Sequence, residues 1–181
     1  MEATEILKHE HQAILLVIAA VEKEVASIEK TGKIHVQTVR EIADFLKNFV
    51  DRCHHGKEEK HLFAMMHERG MPMENGPLAV MLHEHERGRA CVRAVAEAVS
   101  GKGAPDAAAI RKAKENLAAY AQLLRAHIDK EDNVLYPMAD RLLKPTDQKA
   151  LAKAFDKVES EELGAGVHEK YHAWIEKLAG V

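Results

Sequence analysis

Leu7, His11, Ile14, Ile18, Val21, Val25 and Ile28 recur at alternating steps of four and three, which marks one face of a helix of about seven turns. Thr31-Gly32-Lys33 stops it. A second long helix is predicted from about Val36 to Met66, with Ile42, Leu46, Val50, His54, Glu58, Leu62 and Met65 on one face and Arg69-Gly70-Met71-Pro72 at its end. Asn75-Gly76-Pro77 opens a third, with Pro77 at the first helical position. There Leu78, Met81, His85, Val92, Val95 and Val99 share a face, and Gly88, one turn beyond His85, is expected to leave room near whatever His85 binds. After Ser100-Gly101-Lys102-Gly103 a fourth helix starts near Pro105 and turns Ile110, Leu117, Tyr120, Leu124, His127, Glu131 and Met138 inward. Pro137 should bend it, having no N–H to return to the Asn133 carbonyl. Beyond Lys144-Pro145-Thr146 two shorter helices follow, split at Gly164-Ala165-Gly166. Helices of comparable length joined by short loops predict an all-α fold, an antiparallel up-down-up-down four-helix bundle over residues 1–145. Residues 146–181 are expected as a two-helix C-terminal extension, a cap on the bundle or an oligomer contact.

The apolar stripes are interrupted by the same polar residues twice. His9-Glu10-His11 recurs as His83-Glu84-His85, and His54-x-x-x-Glu58 recurs as His127-x-x-x-Glu131, at offsets of 74 and 73 residues. Aligning 54–66 with 127–139 also pairs Lys57 with Lys130, Leu62 with Leu135, Phe63 with Tyr136 and Met65 with Met138. A helix pair has been used twice. His11 lies on the first apolar stripe, whereas His9 lies about 200° round the helix from it.

Histidine and glutamate four apart project from one face, one turn apart, so both reach a common ion or a pair of ions. Four imidazoles (His11, His54, His85, His127) and two carboxylates (Glu58, Glu131) exceed what one tetrahedral zinc takes. They suit two metals, each with two imidazoles, bridged by both glutamates, with positions left for an oxo or hydroxo bridge and an external ligand. Mixed imidazole and carboxylate at higher coordination favours iron. A lone stripe histidine is usually a core residue bonded to a carbonyl. Burying all six without a metal would cost several kcal/mol for each carboxylate. Glu10, Glu59, Glu84 and Asp132 stand next to these positions as candidate outer hydrogen-bond partners, and the sequence leaves open which of them point inward. His55 either adds an imidazole to one iron or only flanks His54. His168-Glu169-x-x-His172 spells a zincin signature, and Glu58-x-x-His61 with Glu169-x-x-His172 spells ferritin-type pairs. The first would also need a third ligand and a substrate cleft, and a chance match is unsurprising among 12 histidines; the second two do not fall at equivalent points of the repeat.

His11, His54-x-x-x-Glu58, His85 and His127-x-x-x-Glu131, in this order on four helices, resemble the hemerythrin-like (HHE cation-binding) proteins from about Leu7 to Met138. The Glu-Glu-x-x-Leu-Phe and Leu-Tyr-Pro tails of the two pairs match as well. The resemblance implies a non-haem di-iron centre in a four-helix bundle, with these six residues as ligands, meeting O₂, peroxide or nitric oxide. Invertebrate oxygen carriers place two histidines four apart on the third helix, whereas Met81 and Arg89 flank His85 here. That moves the chain from reversible O₂ transport toward the six-ligand bacterial branch. The centre is expected either to decompose peroxide, to bind O₂ or nitric oxide or sense iron without turnover, or to donate iron to other centres.

Composition narrows the setting. Residues are 46% apolar but 4% aromatic, which favours packed helices over a β-sandwich. A net charge of −3 without a basic block argues against nucleic acid. No apolar run spans a bilayer, and Met1-Glu2-Ala3-Thr4-Glu5 is not a secretory leader, so a cytoplasmic protein is expected. Cys53 and Cys91 read as reduced thiols packed in helices. Expected partners are the small ligands alone, with a homodimer allowed.

Overall fold

Gly32 closes the first helix in a left-handed conformation at φ 68°, its N–H returned to the Ile28 carbonyl. Gly76, at φ 74°, turns the chain into Pro77, and the Asp106 carboxylate caps the next start by accepting from the Ala109 N–H. The computed structural model describes residues 2–163 and 167–179. The predicted split at Gly164-Ala165-Gly166, and the side chains of His168, Glu169 and His172, lie outside the described residues. The described residues form helices and no strand.

Helix α1 is Ala3–Thr31. α2 runs over 36–68 and α3 is Pro77–Ala98. α4 runs over 107–142, α5 over 145–163, and α6 is Val167–Ala179. α1 packs on α4, α3 on α4 and on α2, and α5 and α6 lie against α1, with α5 also touching α2. Cross-helix contacts join Glu22 to Arg125 and Thr4 to Asp140, Arg40 to the Val99 carbonyl and Glu59 to His85, and Glu97 to Lys112 and Glu84 to His127.

α2 and α4 are not uniform α-helix. Each widens into a π turn that begins on the paired glutamate, Glu58–Leu62 and Glu131–Leu135. In these turns the Phe63 N–H reaches the Glu58 carbonyl and the Tyr136 N–H the Glu131 carbonyl. Leu46–His55 is π-helical too. Pro137 therefore falls in the first turn of the α segment Tyr136–Leu142, where its missing N–H costs little.

Two apolar clusters sandwich a polar layer. Ile14, Val50, Val92, Leu124 and Ile128 belong to one cluster, Leu7, Leu62, Met81 and Leu135 to the other. On every helix of the four the interposed residues are the repeated histidines and glutamates. α5 and α6 complete both clusters through Leu151 and Phe155 on one side and Ile175 on the other. Cys53, buried, and Cys91, half-buried, are not joined in a disulfide. No helix among the described residues is long and apolar enough to cross a membrane.

Candidate metal centre

The polar layer is a closed ring. Glu58 and Glu131 are 0% exposed, and His11, His54, His85 and His127 are all buried. Nε2 of His11 lies 3.0 Å from Nε2 of His54, and Nε2 of His85 lies 3.1 Å from Nε2 of His127. Nδ1 of each ring faces a carboxylate: His11 on Asp132 and His54 on Glu10 at 2.8 Å, His85 on Glu59 at 2.6 Å, His127 on Glu84 at 2.8 Å. A neutral ring that donates through Nδ1 offers a bare lone pair at Nε2. Two such lone pairs about 3 Å apart repel unless positive charge holds them together.

The carboxylates stand between the two imidazole pairs. Glu58 Oε2 is 3.4 Å from His85 Nε2 and 3.8 Å from His54 Nε2. Glu131 Oε1 is 3.1 Å from His127 Nε2, and its Oε2 is 3.3 Å from His11 Nε2. These contacts are poorly directed, so Glu58 Oε2 and both oxygens of Glu131 make no hydrogen bond at all. Buried carboxylate oxygens without donors are costly unless a cation satisfies them. Potential ligand atoms fall into two groups, His11, His54, Glu58 and Glu131, and His55, Glu58, His85 and His127, each within 4.8 Å. The geometry and the donor set both fit metal ions.

The electrostatics agree. Burial alone would depress the His11 imidazole, but the Asp132, Glu131 and Glu58 carboxylates outweigh it and raise it to about 10. His85 is likewise pulled down by burial, yet Glu58 and Glu59 push it up to about 9. Glu131 is held well below the usual carboxylate range, because His127 and His11 overcome its burial. The ring attracts positive charge, whether proton or metal.

Around it the duplication continues outward. Lys57 bonds Glu10, which holds His54; Lys130 bonds Glu84, which holds His127. Glu59 and Asp132, also paired by the repeat, hold His85 and His11. All four expected outer carboxylates take that part. The two lysines were legible as a recurring pair, and their role needed the fold. Burial would raise the Glu10 carboxyl, but His54 and Lys57 bring it down to about 2.

Two differences break the symmetry. Tyr136 donates to Glu58 Oε1 at 2.6 Å and lies 3.4 Å from His11 Nε2, whereas its counterpart Phe63 stacks on His85. The one signal in the sequence was a hydroxyl present in one copy and absent in the other. The second is His55, which stands where the other copy has Ile128. His55 is 4% exposed and stacks on His85 with centroids 3.8 Å apart and planes 15° apart. Rings so nearly parallel direct their lone pairs side by side rather than toward one point. Its Nδ1 has no hydrogen bond, and Asp51 Oδ1, 3.7 Å away, is taken by Arg89.

The other described histidines lie elsewhere. His61 packs edge-on against Phe155, so Glu58-x-x-His61 forms no ferritin-type pair. His9, His35, His67 and His83 are exposed. Gly88 corrects an expectation: an added Cβ would stand 3.3 Å from Tyr120 Cε2, so the missing side chain admits the Tyr120 ring rather than a ligand of His85.

The model of the hemerythrin HHE cation-binding domain matches residues 2–139, which contain the entire ring. The chain belongs to this family. Uncharacterised proteins of Mycobacterium tuberculosis and Mycobacterium bovis are 22% identical to this hemerythrin-family chain over 180 residues, 99% of its length and 68% of theirs. No solved structure matches it.

Proposed function

We propose that this protein is a non-haem di-iron protein whose centre binds or reduces O₂, peroxide or nitric oxide under oxidative or nitrosative stress, with peroxide decomposition the favoured activity. One observation carries the reading: two facing imidazole pairs share two buried carboxylates, of which Glu58 Oε2 and both oxygens of Glu131 have no hydrogen-bond donor. In it His11 and His54 would hold one iron, His85 and His127 the other, with Glu58 and Glu131 available to both and His55 as a further imidazole beside the second. Contacts whose residue numbers rise on one helix and fall on the next support an antiparallel up-down-up-down bundle over 1–145. Residues 146–181 would be its helical cap.

When bound, two adjacent irons supply two electrons between them and an open position for a small oxidant. The chain does the rest. Asp132, Glu10, Glu59 and Glu84 fix each ring's orientation and tautomer, and the apolar clusters on both sides of the layer exclude water. Tyr136 holds one oxygen of Glu58 in place.

The test is iron content per chain after aerobic purification, followed by peroxide addition with O₂ recorded. Two irons and sustained O₂ evolution are expected. In Glu58→Ala or Glu131→Ala the coupled pair should be lost; two irons with an unchanged spectrum in either variant would refute the bridging assignment. A second reading, a sensor without turnover, rests on Lys57, whose Nζ bonds Glu10 and also Glu159 of α5 at 2.5 Å. That contact ties His54 to the C-terminal helices, and a reversible spectral change without O₂ evolution would favour it.

A further inference from the structure

Beside the ring, between α2 and α3, an open cavity of about 670 Å³ reaches inward to His55 and to Tyr120 of α4. Sites for small organic molecules usually measure about 300–1,000 Å³. Its walls are apolar, from Leu46, Val92 and Val99. Its inner end is not. His55 is 4% exposed, and its buried Nδ1 has no hydrogen-bond partner. That nitrogen lies 3.7 Å from Asp51, itself a lining residue, which puts this edge of the ring on the cavity side. Tyr120 is 3% exposed, and its hydroxyl makes no hydrogen bond among the described residues. Burial, and after it the Asp51 carboxylate, keep that hydroxyl protonated. Two polar groups, both more than nine-tenths buried, therefore meet the cavity without partners, which folded interiors seldom leave.

Charge around the opening favours neither sign. Arg89 is shared by Asp51, Glu59 and Glu86 at 2.6 to 2.7 Å. Glu97 pairs with Lys112 and also acts on Arg93, and Arg40 donates to the carbonyls of Val99 and Gly101. Cations and carboxylates are interleaved, so a charged ligand carried inward would lose its water without gaining a free counter-ion. The head that fits the inner end is neutral and both donates and accepts. A tyrosine hydroxyl does both, and a neutral imidazole nitrogen does one or the other according to its tautomer. A ligand hydroxyl serves either case, whereas a carboxylate only accepts and an ammonium only donates.

We propose that this cavity is a binding site for a small neutral alcohol, its hydroxyl held at the Tyr120 hydroxyl and His55 Nδ1 and its hydrocarbon body running outward past Val92. The site adjoins the metal centre but does not depend on it. Gly88 shapes its inner end by letting the Tyr120 ring lie flush against α3.

Titration calorimetry of the whole chain with hexanol tests it, beside hexanoate and hexylammonium, which keep the chain length and charge the head. Saturable binding of one hexanol per chain is expected, at least tenfold tighter than either ion. Tyr120→Phe removes a hydroxyl that has no partner to lose, so it should weaken hexanol about tenfold and leave the melting temperature of the unliganded protein unchanged. Ala96→Trp, at an exposed position of the mouth, should abolish binding. No saturable heat with hexanol, either ion binding as tightly, or parent affinity in either variant would each overturn the proposal. So would a lower melting temperature in Tyr120→Phe, since the protein itself would then already engage the hydroxyl. None of these outcomes bears on iron content, so failure here is separable from failure of the di-iron reading.

Discussion

Lys57 is 0% exposed and makes its charge tolerable by bonding two carboxylates, Glu10 and Glu159. Lys57→Met would leave Glu10 buried with one cation fewer and free His54 to turn. We expect a loss of about 3–5 kcal/mol, the usual cost of removing one partner of a buried pair, read as a lower denaturant midpoint with unchanged slope. Tyr136 acts on a smaller scale. Its hydroxyl is the donor to Glu58 Oε1, and Tyr136→Phe, which copies the residue at Phe63, should cost about 1–3 kcal/mol by stranding that oxygen. Measured in metal-free protein, a change near zero would mean that Glu58 finds another donor. Tyr136 and the two lysines show where residue-level reading ran short. Their positions in the repeat were visible, but a side chain's partner lies on another helix.

Among the elements, α2 and α4 carry the centre because each adds a π turn starting at the glutamate. A π turn takes one residue more than an α turn and rotates the residues beyond it about the helix axis, and such turns concentrate at functional sites. The copy in α4 is followed by Pro137, yet the copy in α2 has Ala64 at the matching position. Proline is thus not what widens the helix. Pro137→Ala should retain the metal content of the parent protein, checked by metal analysis, and loss of metal would make the proline a determinant after all. α5 belongs to the same layer through Phe155, which is fully buried among Leu7, Leu62 and Leu143. Phe155→Ala is expected to cost about 3–5 kcal/mol by opening a cavity there, seen in thermal unfolding.

For the whole molecule, the ring makes stability depend on pH in a direction set by its surplus carboxylates. His11 and His85 are raised from 6.5 to about 10 and about 9. The stability they give metal-free protein is complete below pH 6.5 and lost as pH rises through 9 to 10. Glu10, lowered from 4.5 to about 2, contributes above pH 4.5 and loses its contribution as pH falls toward 2. Burial holds the His55 imidazole well below 6.5, so it opposes folding as pH falls below that value, and melting temperatures of metal-free protein should be highest near pH 6.5 and fall on both sides. With metal bound the alkaline fall should recede, because ligation replaces protonation of the same nitrogens. An apo protein equally stable at about pH 6 and about pH 10 would contradict the ring's electrostatics.

Sequence alone determined that the chain is helical, that one polar set is repeated in the same order, and most of the interior stripes, although beyond the π turns Met66 and Ala139 are buried where Met65 and Met138 were expected. Those properties follow from periods of three and four and from turn residues, which act within a few positions of the chain. Tertiary packing decided the pairing of His11 with His54 and His85 with His127, the carboxylate behind each ring, and the purpose of Gly88. It also set His55 against His85 and opened the cavity beside it. Each of those depends on distances between side chains at least 26 residues apart in the sequence, and no local pattern encodes them.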